Sequence, residues 1–137
     1  MRTKTGSPAS AVSASDRADN FAAAFYALKR PFLAHERHLQ LTADTRGRYY
    51  LETRSRSYQG RPLFFGAVIS GRAAVSFHLM PLYWDETLRK RVSSQLKKHM
   101  EGKSCFNFTE APEPAILREL GKLTSLGFSL YKRKNLL

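Results

Sequence analysis

The spacing of apolar residues along the chain changes from a helical period to a strand period. Four aromatic and aliphatic residues recur every three or four positions: Phe21, Phe25, Leu28 and Phe32. This spacing predicts a helix with one buried face. Ser15 or Asp16 can cap its N-terminus, and Pro31 is expected to end it or nearly so. Residues 1–15 lack any such period and are predicted to form a disordered basic tail before a single domain at 16–137.

The middle of the chain alternates between apolar and polar residues and predicts strands. The predicted segments are 38–42, 48–53, 62–69 and 73–80. The nearly continuous apolar run at 62–69 indicates a central strand covered on both faces. A three-residue hairpin loop at 70–72 would place Phe64 opposite His78 and Gly66 opposite Ser76.

The last third predicts a short helix, a strand and a long helix. Ser93 or Ser94 caps the short helix, which Gly102 is expected to end. Residues 104–108 alternate as a strand, and Pro114 begins a helix that Gly127 closes. Short hairpin connections make the sheet mainly antiparallel. The predicted fold is therefore two-layer α+β, with four to five strands and helices packed on one face.

Three blocks of the sequence resemble the YdhG-like family of uncharacterised domains. They are residues 60–68 (GRPLFFGAV), 75–81 (VSFHLMP) and 96–108 (LKKHMEGKSCFNF). The resemblance extends from about Phe21 to Tyr131 and implies a small antiparallel sheet with helices. Some relatives are described as frataxin-like iron chaperones. The resemblance thus supplies an alternative function in intracellular iron or metal delivery, although no residue here carries that role.

The charge of the chain is strongly positive, with 23 Lys and Arg against 11 Asp and Glu and a net charge of +12. A field of this sign favours anionic partners, such as a small anion, an acidic protein or a nucleic acid. No nucleic-acid motif accompanies it. The single cysteine, Cys105, excludes an internal disulfide and fits a reducing compartment. With no signal-like or membrane-length apolar run, the expected location is cytoplasmic and no membrane partner is expected.

Two groups of residues are the predicted ligand-binding candidates. Arg54, Arg56 and Arg61 lie close together near one turn and suit an anionic ligand. The second group would line a shallow pocket on the sheet: Phe64, Gly66, Ser76 and His78. The leading hypothesis is a non-catalytic binding module for an anionic ligand or partner, with no cofactor or metal site. The enzyme alternative uses His78 as a base and needs a nearby nucleophile, for which Cys105 or a serine is a candidate.

Overall fold

The computed structural model describes residues 13–137, which form one antiparallel sheet with helices against one of its faces. The helices are α1 (Ala14–Leu33), α2 (Pro81–Trp84), α3 (Glu86–Arg89), α4 (Ser94–Lys97) and α5 (Pro114–Arg133), with a 3₁₀ turn at Glu36–His38. The strands are β1 (Gln40–Asp44), β2 (Arg48–Glu52), β3 (Phe64–Ser70), β4 (Val75–Leu79), β5 (Met100–Glu101) and β6 (Cys105–Phe108). Their order in the sheet is β1-β2-β3-β4-β6-β5.

The predicted fold class is confirmed, but the sheet has six strands in the described part of the chain, not four to five. The additional strand is β5, which has two residues and lies where the sequence predicts the end of a helix. That helix, α4, already ends at Lys97. Gly102 adopts φ +72° in the turn between β5 and β6 and does not end a helix.

Helix α1 begins slightly earlier than predicted. The Ser13 hydroxyl accepts a hydrogen bond from the Asp16 backbone N–H at 3.0 Å and caps the helix. Pro31 lies within its last turn, and the helix ends two residues later at Leu33. The predicted disordered tail lies outside the described residues, except for residues 13–15, which cap and begin α1.

The core lies between the sheet and the two long helices. Phe32 of α1 is fully buried and stacks on Phe77 of β4, with ring centroids 4.7 Å apart. Phe65 meets the Phe32 ring edge-on at 6.1 Å. Burying an aromatic side chain of this size contributes about 1.5–3 kcal/mol, so this cluster is a main source of stability. Helix α5 packs against α1 and α2.

Helix α5 does not close at Gly127, contrary to the prediction. It continues to Arg133, and Gly127 lies inside it against Pro81. A Cβ at this position would lie 2.8 Å from the Pro81 Cγ, so the glycine permits close packing of α5 on the start of α2. Pro114 occupies the first turn of α5, as its fixed φ predicts.

The β3–β4 hairpin has a longer loop than the sequence predicts. Ser70 pairs with Val75, so the loop contains the four residues 71–74. His78 therefore lies opposite Ala67, and Ser76 lies opposite Ile69. The observed register differs from the predicted one by three residues. Because this number is odd, His78 shares a face of the sheet with Ala67 and not with Gly66.

Candidate functional site

The face of the sheet opposite the core, here called the open face, carries a mixed polar and aromatic surface. Cross-strand partners share a face. Tyr50, Ala67, His78 and Cys105 are successive partners across β2, β3, β4 and β6. The neighbouring row on the same face contains Arg48, Ile69, Ser76 and Asn107.

His78 stands at the centre of the open face with two close polar neighbours. Its Nε2 lies 2.9 Å from the Ser76 Oγ and 4.0 Å from the Cys105 Sγ. Burial lowers the pKa of His78, and the positive charge of Arg48 lowers it further. The imidazole is therefore neutral at pH 7 and can accept a proton only under more acidic conditions than an exposed histidine.

Cys105 lies among His78 of β4, Asn107 of its own strand β6 and Glu101 of β5. Its thiol donates to the Asn107 Oδ1 at 3.8 Å, and the Asn107 Nδ2 donates to the Glu101 Oε1 at 2.8 Å. Burial raises the pKa of the Cys105 thiol, and the Glu101 carboxylate raises it further. The structure thus gives His78 the neighbouring thiol that an enzyme would need, but in the protonated form, which is a poor nucleophile.

The predicted pocket of Phe64, Gly66, Ser76 and His78 does not form. Gly66 faces the core, where a Cβ would lie 2.4 Å from Phe32 Cε1, so the Phe32 ring fills the space expected to be a pit. Phe64 stacks on Tyr50 at 4.7 Å and not on His78. Ser76 and His78 do lie together, as predicted. The longer hairpin loop and an irregular β2–β3 register between Leu51 and Glu52 account for the difference.

The three predicted arginines, Arg54, Arg56 and Arg61, lie in one loop, residues 53–63, between β2 and β3, here called the arginine loop. All three side chains are exposed. Arg54 Nε donates to the Leu39 carbonyl and Arg56 Nε to the Gly60 carbonyl, each at 3.1 Å. The charge that acts on His78 comes instead from Arg48. The two predicted groups therefore belong to different parts of the surface.

The backbone of the arginine loop is held by a tight turn and by Thr53. Gln59 and Gly60 have φ of 53° and 76°, and Tyr58 and Arg61 pair across the turn as an isolated bridge. Thr53 is buried, and its hydroxyl accepts from the Leu63 backbone N–H at 2.8 Å. Because both ends of the loop are fixed, its arginines project from an ordered backbone.

An apolar pocket of about 490 Å³ lies beside the arginine loop. Seven residues line it: Tyr58, Leu63, Trp84, Leu130, Tyr131, Lys134 and Leu136. Among these lining residues Lys134 alone carries a charge. Trp84, the single tryptophan of the chain, is 46% exposed there. The volume lies within the range of small-molecule sites, roughly 300–1,000 Å³.

The floor of this pocket is fixed by Tyr131, whose hydroxyl donates to the Phe64 carbonyl at 2.7 Å. Burial raises the pKa of the Tyr131 phenol, so it stays protonated throughout the ordinary pH range. The sequence analysis missed this pocket because its residues come from three segments distant in sequence, and no periodic pattern joins them. The only sequence signal in this region was the group of arginines in the arginine loop, none of which lines the pocket.

No three His, Cys, Asp or Glu side chains within residues 13–137 converge to hold a metal ion. None of the helices described there combines the length and apolar character needed to cross a membrane.

Comparison of the chain with protein-family models, curated proteins and solved structures gives no match. The resemblance to the YdhG-like family therefore stays a prediction.

Proposed function

We propose that this protein is a non-catalytic binding module for a small amphipathic anion, with an apolar tail and one anionic head group. The observation that carries the proposal is the apolar pocket whose wall is the arginine loop and whose lining holds one charge, the positive Lys134. Medium-chain carboxylates and alkyl phosphates belong to this class of ligand.

The lining of the pocket suits an apolar tail. Leu63, Leu130 and Leu136 supply aliphatic contacts, and Tyr58 and Trp84 supply aromatic ones, with ring centroids 6.1 Å apart. Removing apolar area from water contributes roughly 25 cal/mol per Å², so a tail of several methylenes gives useful affinity.

The rim of the pocket suits an anionic head. Lys134 lines the pocket, and Arg61 pairs with the lining residue Tyr58 across the turn. Arg56 is tied through its Nε to Gly60 of the same turn. A guanidinium group can form two parallel hydrogen bonds to a carboxylate or phosphate, which favours such a head group over a neutral one.

The non-catalytic part of the proposal rests on the state of the open face. Cys105 is protonated and His78 is neutral at pH 7, and neither lines the pocket. A reaction would need a ligand to reach both surfaces. Binding alone requires only the pocket and its basic rim.

The fluorescence of Trp84 reports binding directly, because it is the single tryptophan and lines the pocket. We expect decanoate to change this fluorescence saturably in low-salt buffer at pH 7, and decan-1-ol to bind at least tenfold more weakly. Lys134→Gln combined with Arg61→Gln should weaken decanoate binding at least tenfold. The matched control is Lys132→Gln. Lys132 is exposed in the last turn of α5, close in sequence to Lys134, and this variant should bind like the parent.

Two results would contradict the proposal. One is an unsaturable response of the parent protein to both decanoate and decyl phosphate. The other is equal decanoate affinity in the parent and in the Lys134→Gln, Arg61→Gln variant, which would mean that the basic rim plays no part.

A further inference from the structure

The Cys105 thiol and the His78 imidazole form a pair of possible metal ligands on the open face. Both side chains are half-buried, and they lie on directly paired residues of β4 and β6. The Sγ and Nε2 atoms are 4.0 Å apart. This pair is separate from the pocket of the proposed function and takes no part in it.

We propose that Cys105 and His78 together bind one Cu(I) ion through Sγ and Nε2. Soft thiolate ligands select Cu(I), and imidazole also suits copper. With metal–sulfur and metal–nitrogen bonds of about 2.3 and 2.0 Å, the lengths found in zinc sites, a 4.0 Å separation gives an angle of about 135° at the ion. That angle is wider than the ~109° of a tetrahedral site and fits an ion with few ligands.

The surroundings of the pair disfavour ions that need more ligands. Glu101, the cross-strand partner of Cys105, accepts from the Asn107 Nδ2 at 2.8 Å and is thereby held by another side chain. No three potential ligands converge anywhere in residues 13–137. Zn²⁺ prefers four ligands, and Mg²⁺ and Ca²⁺ prefer six or more, mostly oxygen.

Binding releases one proton and breaks two hydrogen bonds, the Ser76–His78 contact and the bond from the Cys105 thiol to the Asn107 Oδ1. The Cys105 thiol loses its proton to solvent as the copper–sulfur bond forms, and the oxidation state of copper does not change. The Ser76 hydroxyl lies 2.9 Å from the His78 Nε2 and must give up that contact, while keeping the Ile69 carbonyl as an acceptor at 3.3 Å. Ser76 is thus a competitor of the metal for Nε2.

Copper competition with bathocuproine disulfonate under anaerobic conditions tests the proposal on the full chain. We expect the parent to withdraw one equivalent of Cu(I) from the chelator. Cys105→Ser should bind at least 100-fold more weakly and His78→Gln at least tenfold more weakly. Ser76→Ala, which frees Nε2, should bind as tightly as the parent or more tightly.

The control variant is His99→Gln. The His99 ring stacks on Phe108 and not on His78 or Cys105, so this variant should bind copper like the parent. X-ray absorption should show one sulfur and at least one nitrogen ligand to copper. Parent-like affinity in His78→Gln, or no withdrawal of copper by the parent, would overturn the proposal. Decanoate titration of Cys105→Ser should match the parent, so this test and that of the proposed function fail independently.

Discussion

His35 joins the end of α1 to the middle of α5 through two contacts. Its Nε2 lies 3.1 Å from the Ser125 Oγ, and its ring stacks on Phe128 with centroids 4.7 Å apart. Burial lowers the pKa of His35, and the neighbouring His38 lowers it further. Protonation would place a charge in a partly desolvated contact between the two long helices.

This lowered pKa predicts that stability falls as the protein is acidified. The folded state resists protonation at His35 while the unfolded chain takes up a proton near its ordinary pKa of 6.5. The contribution of neutral His35 to the free energy of unfolding is therefore fully present above pH 6.5. It is lost as the pH falls through that value toward the pKa of His35 in the folded state. His78, whose pKa is lowered as well, acts in the same direction.

Urea unfolding between pH 7.5 and 5 measures this effect. We expect the free energy of unfolding to decrease on acidification, and His35→Gln to reduce the slope without abolishing it, because His78 remains. His38→Gln should also reduce the slope, since it removes the neighbouring charge. A slope in His35→Gln equal to that of the parent would show that His35 does not contribute.

At the scale of the element, helices and strands followed from periodicity, whereas their relative registers did not. The alternation in β4 correctly places Ser76 and His78 on one face, and Pro114 correctly marks the start of α5. The length of the β3–β4 loop is decided by strand pairing, which no local pattern specifies. The predicted cross-strand neighbours of His78 on β3 were therefore wrong, and the pairing of His78 with Cys105 on β6 was not predicted.

The wrong β3–β4 register also led to a wrong prediction of the role of Gly66. A Cβ there would lie 2.4 and 2.6 Å from two atoms of the Phe32 ring and 2.9 Å from the His78 carbonyl oxygen. The Phe32 ring is itself fully buried against Phe77, so it has little room to move. The glycine in β3 is required by core packing and is not the floor of a ligand site.

Gly66→Ala should therefore destabilise the protein by about 1–3 kcal/mol, the usual cost of overpacking a core. Gly121→Ala is the matched control: a Cβ at this position in α5 meets nothing within 4 Å. It should stabilise the protein by about 0.5–1 kcal/mol through helix propensity. Urea unfolding measures both, and a Gly66→Ala variant as stable as the parent would contradict the packing argument.

For the whole molecule, the dominant property is a net charge of +12 with little local compensation. Within residues 13–137 the acid–base pairs in close contact are Lys29–Asp44 at 3.3 Å and Lys90–Glu86 at 3.9 Å. On the open face, Arg48 lies on β2 and Glu101 lies on β5 at the far edge of the sheet. The excess positive charge is thus spread over the surface, and it favours anions in general as well as at the pocket rim.

This distribution predicts two separable effects of anions on thermal stability. Raising NaCl from 10 to 200 mM should increase the melting temperature by roughly a few degrees, because salt screens repulsion among surface cations. Replacing the exposed Arg91, Lys97 and Lys98 by Gln should reduce that dependence. Decanoate at constant ionic strength should raise the melting temperature further, as a ligand of the native state does.

The two effects should respond to different substitutions. The Arg91, Lys97, Lys98 variant should keep the decanoate shift, because none of these residues lines the pocket. The Lys134→Gln, Arg61→Gln variant should lose most of that shift while keeping most of the NaCl dependence, since it removes only two of 23 basic residues. If both variants lost the decanoate shift equally, the anion would be acting through general charge, and the pocket would have no selective role.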